Sequence, residues 1–265
     1  MKKVLSVLAA LLVLVGCGAK QSSDDKVIKI GATPLPHAEI LNQLKGPLEA
    51  QGYTLEVVVF DDYKIPNTEV NAGSLDANYF QHIPYLEDFN EANGTNVVPV
   101  LKVHYEPIAI YSGKKTALTD VADGDTVLVP DDATNLPRAL KLLEELGWIE
   151  LNENRDTSTQ KDIVKFNKNI TIKEIQSDGI AALINDSEYV ILNGNYALSS
   201  GVTDRALQAE TISPEKIAEI VNVVAVKGGN EESDKTKAIL KAFEDESVRK
   251  YVAEKFAPAV TSVLD

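Results

Sequence analysis

Short apolar runs alternate along the chain with segments of helical periodicity. Runs typical of buried strands lie at 27–32, 54–60, 76–79, 97–104, 108–111, 126–129, 171–175, 189–192 and 221–226. Helices are predicted between or after them, at 66–71, 83–92, 135–146, 196–200, 234–245 and 247–256. Strands that alternate with helices at this spacing predict mainly parallel sheets covered on both faces.

The predicted elements form two α/β series. A chain of 265 residues can form one large domain or two of ordinary size, and 44% apolar residues suffice for real cores. No long Pro, Gly or Ser linker separates the two series. We therefore expect two lobes joined by continuous strands.

The amino terminus predicts export and lipid anchoring. Lys2 and Lys3 precede an apolar run at 4–16, which is shorter than the ~20 residues that a membrane-spanning helix needs. The run ends in LVGC, which is similar to a bacterial lipobox, so Cys17 is the expected lipidation site. We predict a signal peptide at 1–16 and a lipidated tether at 17–26, on the exported side of a bacterial membrane.

Charge and cysteine content exclude several classes of site. The formal net charge is −14 and there is no run of lysine and arginine, so a surface for nucleic acid is not expected. Cys17 is the only cysteine. The exported part therefore has neither an internal disulfide nor a thiolate metal site.

Residues 60–86 combine aromatic rings with amides and one imidazole on short turns. Small-molecule pockets need such a mixture, because they are mostly apolar with a few placed polar groups. Phe60 ends an apolar run and is predicted to be core. Tyrosine is buried when its hydroxyl finds a partner, so crowded tyrosines favour a site over plain core. Asn67 and Gln81 supply further amides in the same stretch, and the site candidates are Tyr63, Asn78, Tyr79, Phe80, His82 and Tyr85.

Arg138 lies in the first turn of a predicted helix, because Thr134 or Asn135 is a good N-cap and Pro137 fits an early helical position. A cation there opposes the helix dipole, so a negative group should compensate. That group is either a structural carboxylate, such as Asp131 or Asp132, or the carboxylate of a ligand.

Two further junctions carry polar side chains at the carboxyl ends of strands, where open α/β sheets place ligands. Asn193 and Asn195 follow the strand at 189–192, and either N-capping or ligand contact explains them. His37 and Glu39 follow the first strand. We predict that His37 packs within its loop.

Five ordered motifs resemble the NlpA-type lipoproteins, the substrate-binding lipoproteins of methionine ABC importers. They are PHAEIL near residue 36, DANYFQH followed by PYL near 80, VHYEPIAIYS near 103, DDATNLPRAL near 131 and LNGNYALSSG near 192. The resemblance covers nearly all of the mature chain. It implies a two-lobe, periplasmic-binding-protein-like (type II-like) fold whose chain crosses near 106–110 and returns near 222–225. Lobe one would then contain 27–107 plus 225–265, and lobe two 108–224.

The same resemblance implies a non-catalytic, monomeric lipoprotein without a cofactor. It would close on a free amino acid, L-methionine, and deliver it to a membrane permease and its ATPase. Leu136-Pro137 and Gly194 depart from the usual pattern and leave the size limit of the ligand open. The implied contacts are Tyr79 or Phe80, His82, Tyr85 and His104 around the side chain, and Asn135, Arg138 and Asn193 at the polar end; Tyr63 and Asn78 are candidates from the aromatic stretch.

Three alternatives remain at this point. The ligand could be a methionine-containing dipeptide. A lipoprotein delivering zinc or manganese would use His37, Glu39, His82, His104 and Glu106, although no two histidines have helical metal-site spacing. An enzyme would use His82 or His104 as a base with Asp61 or Asp62. It is disfavoured because the common nucleophile, P-loop and dinucleotide motifs are missing.

Overall fold

The computed structural model describes residues 23–152, 157–257 and 259–264. The predicted signal peptide and Cys17 lie outside these residues. Within the described ranges, no helix has both the length and the apolar character needed to cross a bilayer.

The described residues form thirteen strands and ten α-helices, which largely follow the predicted alternation. The strands are β1 Val27–Ala32, β2 Thr54–Val59, β3 Ala77–His82, β4 Val97–Tyr105, β5 Ile108–Ser112, β6 Thr126–Pro130, β7 Ile149–Leu151, β8 Ile163–Phe166, β9 Thr171–Ile175, β10 Tyr189–Asn193, β11 Ala206–Ala209, β12 Asn222–Lys227 and β13 Thr261–Ser262. The helices are α1 Glu39–Asn42, α2 Lys45–Glu49, α3 Ile65–Ala72, α4 Ile83–Asn93, α5 Asn135–Glu145, α6 Ser177–Ile180, α7 Gly194–Ser199, α8 Pro214–Ile217, α9 Asp234–Phe243 and α10 Glu246–Glu254.

The strands form two larger sheets and a hairpin, β7-β8. The first sheet has the order β13-β4-β12-β3-β1-β2, and the second has the order β11-β5-β10-β6-β9. Strands β1, β2 and β3 pair in parallel, as do β6, β9 and β10. Strands β5 and β12, in contrast, pair antiparallel with their neighbours. Both sheets are therefore mixed, with a parallel part of the predicted kind in each.

Amphipathic helices bury one face against each sheet, as helical periodicity predicts. Leu140 and Leu143 of α5 pack with strand residues of the second sheet such as Val127. Ile239 and Phe243 of α9 pack against the first sheet. The two cores are distinct, so each sheet has its own apolar layer.

The chain passes between the sheets at two places. Strand β4 ends at Tyr105 and β5 begins at Ile108, so Glu106 and Pro107 make the first crossing. The second crossing ends where β12 begins, at Asn222, which pairs with His82 and His104. Residues 222–224, which the predicted boundary puts in lobe two, thus pair within the first sheet. The lobe limits themselves stay a prediction.

Candidate ligand-binding site

An aromatic cluster joins the two sheets. Tyr63, in the loop after β2, packs against Phe80 of β3 and Tyr85 of α4, with ring centroids 5.7 and 5.5 Å apart. Its ring also lies 4.9 Å from that of Tyr196 in α7, on the second sheet. The hydroxyl of Tyr63 donates a hydrogen bond to Asn195 Oδ1 at 2.6 Å, as a buried tyrosine hydroxyl usually does. This cluster forms an apolar wall between the sheets.

Beside this wall lies a small cavity of about 20 Å³, which is room for about one water molecule. One side comes from β3 and α4, and the other from α5, β10 and α7. Most of the residues predicted for the site line it. The lining residues are Tyr63, Phe80, Gln81, His82, Tyr85, Glu106, Asn135, Arg138, Asn193, Asn195 and Asn222.

Three hydrogen-bond donors converge on one amide oxygen at the polar end. Asn135 Oδ1 accepts from His82 Nε2 at 3.1 Å, Arg138 Nη1 at 3.0 Å and Asn193 Nδ2 at 3.0 Å. Asp132 fixes Asn135 by accepting its backbone N–H at 2.8 Å. An amide oxygen has only two lone pairs, so this group of donors can serve a second acceptor. A carboxylate is the acceptor best suited to such donors.

His82 is a neutral donor in this group. The backbone N–H of Tyr85 donates to His82 Nδ1 at 3.1 Å, where His82 caps α4. The ring proton must then be on Nε2, which faces Asn135. Burial, helped by the nearby guanidinium of Arg138, lowers the pKa of His82 to about 4. His82 therefore offers one N–H without carrying charge at neutral pH.

Arg138 is held by a carboxylate far away in sequence. Its Nε donates to Glu210 Oε2 at 3.1 Å, and its Nη2 pairs with Glu210 Oε1. The side chains of Arg138 and Glu210 are only 13% and 6% exposed. The structural partner is thus Glu210, and neither Asp131 nor Asp132. This pairing fixes the guanidinium plane and leaves Nη1 directed at Asn135.

Two asparagines have unsatisfied atoms at the cavity. Asn193 Oδ1 and Asn195 Nδ2 are buried and have no hydrogen-bond partner. The two residues are only 8% and 2% exposed. Buried polar groups without partners are costly and uncommon, so one acceptor and one donor are available to a bound molecule. Neither asparagine caps α7 through its side chain, so N-capping does not explain these two residues.

Three predicted contacts lie away from the cavity lining. Tyr79 is fully buried beside Phe243 in the core of the first sheet. Asn78 donates to Asn67 Oδ1 at 2.8 Å within an amide network. His104 lies behind Glu106. The register of β3 with β12 shifts between Val223 and Val224, and such a bulge changes which side chains point the same way.

His104 belongs to a buried cluster behind the cavity. Its Nε2 lies 2.6 Å from Glu106 Oε1, and His37 Nε2 lies 3.5 Å from the same oxygen. Among the described residues, His37, His104 and Glu106 form the one group with metal-ligating atoms close together, within 4.8 Å. Burial lowers the pKa of His37 to about 4 and that of His104 to about 3, and burial raises the pKa of Glu106.

The alternative sites are dispersed. Of the five residues proposed as metal ligands, His37, His104 and Glu106 come together among the described residues, whereas Glu39 accepts from the hydroxyl of Tyr251 at 2.6 Å. Asp62 caps the backbone N–H groups of Lys64 and Ile65 at 2.7 and 2.9 Å and does not orient a histidine.

Some polar residues at the site were not predicted as ligand contacts. Gln81 and Asn195 lie beside predicted contacts, and Glu106 was predicted only as a ligand in the metal alternative. Asn222 and Glu210 are isolated polar residues near a crossing, and only the tertiary structure brings them to the site.

The chain is similar to known proteins over almost its whole length. The NlpA lipoprotein family model matches residues 28–264. The methionine-binding lipoprotein MetQ of Bacillus subtilis is 35% identical over 276 residues, with 99% of this chain and 100% of that protein covered. Among solved structures, a lipoprotein from Ruminococcus gnavus is 43% identical with a TM-score of 0.86, covering 90% of this chain and 100% of that one. A nutrient-binding protein from Burkholderia cenocepacia bound to methionine is 28% identical with a TM-score of 0.82, covering 89% of this chain and 100% of that one.

Proposed function

Because the chain belongs to the NlpA lipoprotein family, we propose that it is the substrate-binding lipoprotein of an ABC importer and that its substrate is L-methionine. The family consists of substrate-binding proteins and not of enzymes, and its members are lipoproteins of the bacterial cell envelope. One observation carries the proposal: a single cavity has an aromatic wall beside a converging set of carboxylate-binding donors.

The aromatic wall suits an unbranched thioether side chain. Tyr63, Phe80 and Tyr85 present ring edges and faces at mutual distances of 5.5 to 6.1 Å. A sulfur near a ring edge gains ~0.3–1.5 kcal/mol beyond its apolar burial. Each buried methylene adds ~0.8 kcal/mol, so the length of the side chain contributes at least as much as its sulfur.

The donor group suits the α-carboxylate. Arg138 Nη1, His82 Nε2 and Asn193 Nδ2 already point at one oxygen position, and the pair with Glu210 keeps the guanidinium from turning away. In our proposal the ligand carboxylate shares these donors with Asn135. Charge-assisted hydrogen bonds of this kind are worth ~1.5–3 kcal/mol each.

Hinge closure of two lobes is the proposed binding motion. We assign residues 27–107 and the segment from 225 onward to one lobe and 108–224 to the other, with 222–224 continuing into the first sheet. Tyr63–Asn195 and His82–Asn135 are contacts between the lobes, so closure and ligand binding favour each other. The closed protein, a monomer, would then deliver methionine to the permease and its ATPase.

Calorimetric titration of a ligand panel tests this proposal. Affinity should fall in the order methionine, norleucine, alanine, because shortening the chain removes buried methylenes. Glutamate and lysine should bind very weakly, since the wall offers no partner for a side-chain charge. Methionine-containing dipeptides form a second arm. Alanine or glutamate binding as tightly as methionine would overturn the proposal, and a dipeptide binding more tightly would replace the substrate.

A pair of phenylalanine variants links the affinity to this cavity. Phe80→Ala should weaken methionine binding by more than tenfold, because Phe80 is buried in the wall. Phe166→Ala is the matched control, since Phe166 is 45% exposed on β8. Thermal unfolding of both variants separates lost affinity from lost stability.

A further inference from the structure

Strand β3 carries one extra residue where it pairs with β12. Tyr79 pairs with Val224 and Gln81 pairs with Val223, so Phe80 between them has no counterpart. The pairing of β3 with β1, on its other side, ends at Tyr79. A β-bulge inserts one residue into a strand and changes the direction of the side chains around it. Phe80 is therefore the bulged residue of β3.

Three amide side chains, which we call the amide network, connect the two flanks of this bulge. Asn78 lies before the bulge, Gln81 lies after it, and Asn67 comes from helix α3. Asn67 Oδ1 accepts from Asn78 Nδ2 at 2.8 Å and from Gln81 Nε2 at 2.7 Å, and Asn67 Nδ2 donates to Gln81 Oε1 at 2.7 Å. Gln81 Nε2 also donates to Asn78 Oδ1 at 3.0 Å. Both hydrogens of Gln81 Nε2 are thus engaged within the network.

The direct bond between Asn78 and Gln81 depends on the bulge. Side chains of a regular strand alternate between the two faces of the sheet, and residues three apart are separated by about 10 Å. The two amides would then point to opposite faces. The extra residue brings them to the same side, where they are 3.0 Å apart. The bulge and the amide network therefore stabilise each other.

Burial makes the amide network costly to break. Asn67 and Asn78 are fully buried, and Gln81 is only 3% exposed. Straightening β3 would separate the three amides and leave buried donors and acceptors without partners, which destabilises a protein. The network therefore holds the bulge in one conformation.

The bulge determines which ring of β3 faces the cavity. Phe80 lines the cavity and lies beside Tyr63 and Tyr85, with ring centroids 5.7 and 6.1 Å away. The preceding ring, Tyr79, packs against Phe243 in the core of the first sheet. A slip of one residue turns the side chains of a strand to the other face, so a straight β3 would not keep both rings in these places. The position of Phe80 links the amide network to the aromatic wall.

We propose that Asn67, Asn78 and Gln81 are positioning residues that fix this bulge and thereby set the selectivity of the site for the ligand side chain. The inference rests on the proposed methionine-binding function and deepens it, because it names residues behind the wall that control the choice of side chain. The amides act through Phe80.

Most of the carboxylate donors lie outside β3. Arg138 Nη1 and Asn193 Nδ2 reach Asn135 Oδ1 from α5 and β10, each at 3.0 Å. Neither helix α5 nor strand β10 pairs with β3. Loss of the amide network should therefore weaken the binding of a large side chain and largely spare the binding of the α-carboxylate.

The ratio of methionine affinity to alanine affinity measures the selectivity for the side chain. Calorimetry gives both affinities, that of alanine by competition with methionine. In Asn67→Ala the ratio should fall by about tenfold or more, because methionine loses contact with a correctly placed Phe80. Alanine affinity should stay close to the wild-type value. A merely structural loss would weaken both ligands alike and leave the ratio unchanged.

Asn71→Ala is the matched control. Asn71 lies on the same helix, α3, and its side chain accepts the backbone N–H of Asn96 at 3.0 Å, outside the amide network. Its ratio of affinities should equal that of the wild type. If Asn67→Ala does not fold, Asn78→Ala takes its place, since it removes the bonds on the other flank of the bulge, and the ratio should again fall.

A double variant tests whether the network acts through Phe80. Phe80→Ala alone should lower the ratio of affinities, and adding Asn67→Ala should lower it little further, because residues that act through one contact are not additive. Two effects that multiply independently would overturn the action through Phe80.

The outcomes separate this inference from the proposed function. Wild-type protein that binds alanine as tightly as methionine contradicts the proposed function. A wild-type preference for methionine that persists unchanged in folded Asn67→Ala, or in Asn78→Ala where that variant replaces it, overturns only the positioning role. An equal fall of the ratio in Asn71→Ala also overturns the positioning role, because the effect would then not be specific to the amide network.

Discussion

The hydroxyl of Tyr63 donates to Asn195 Oδ1 at 2.6 Å, and this bond joins the loop after β2 to helix α7. The two residues lie on opposite sides of the cavity, Tyr63 beside the first sheet and Asn195 beside the second. The Nδ2 atom of the same asparagine has no partner. The bond therefore orients an amide that presents a free donor to the cavity while it holds the two sides together.

Tyr63→Phe should weaken methionine binding roughly two- to tenfold. The ring would keep the aromatic wall intact, and one neutral hydrogen bond of ~0.5–1.5 kcal/mol would be lost. Tyr251→Phe removes a hydroxyl that bonds Glu39 at 2.6 Å on the surface, so it is a matched control with unchanged affinity. Equal affinity in both variants would mean that the Tyr63 hydroxyl does not support the closed form.

Arg138→Ala should lower both affinity and stability. Removing the guanidinium leaves Glu210 buried and charged, and breaking a buried pair from one side costs about 3–5 kcal/mol. Because the pair with Glu210 forms without a ligand, the empty protein should be destabilised as well. Denaturant unfolding measures the change, with Lys165→Ala as control, because its pair with Glu150 is exposed and should contribute little to stability.

Glu210→Gln tests the same pair from the other side. It keeps hydrogen-bond acceptors for Arg138 but removes the charge that holds the guanidinium. We expect a smaller loss of stability than for Arg138→Ala, together with weaker methionine binding. A stability loss in Arg138→Ala no larger than that in Lys165→Ala would show that the pair is not a structural unit.

Stability should fall as the pH is lowered from 6.5 towards 4. Burial lowers the pKa of His37 and His82 to about 4 and that of His104 to about 3, below the usual 6.5. In this range the unfolded chain takes up protons that the folded protein does not bind, so the free energy of unfolding decreases. Each histidine contributes up to about 1.4 kcal/mol per pH unit. The raised pKa of Glu106 acts in the opposite sense, because the folded state binds that proton first.

Denaturant unfolding at pH 7, 6 and 5 measures this dependence. His82→Asn removes one of the titrating rings and should give a shallower slope than the wild type. Between pH 7 and 8 the histidines should change the free energy of unfolding only slightly, since the rings are then mostly neutral in both states. A flat profile from pH 7 to 5 would mean that the buried rings accept protons in the folded state.

Cys17→Ala should release the protein from the membrane and leave methionine affinity unchanged. The residue is the only cysteine in the sequence and directly follows the predicted signal peptide, and no residue of the cavity is near it in sequence. Membrane fractionation followed by calorimetry on the soluble variant checks both expectations. A variant that stays in the membrane pellet would contradict anchoring through Cys17.

Local pattern predicted most of the framework because strand and helix signals are short-range. β1 and β9 have the predicted limits, and α4 and α5 end within one residue of them. The short strands β7, β8, β11 and β13 were not predicted, since their few residues carry no clear alternation. The sequence did not show that Phe80, and not Tyr79, lines the cavity, because this depends on the pairing of β3 with β12 and its register shift. Nor did it show that Glu210 is the partner of Arg138, because the two residues are far apart in sequence.

Strand β12 lies inside the six-stranded sheet, between β3 and β4. In sequence, however, all the strands of the five-stranded sheet come between β4 and β12. A chain that emerges amino terminus first cannot fill this position until residue 227 is available. The five-stranded sheet, by contrast, needs only residues 108–209. Until β12 has emerged, β3 and β4 have unpaired edges, which are sites of misassociation between chains. The topology therefore delays completion of the first sheet, and of the cleft beside it, until most of an exported chain has been released.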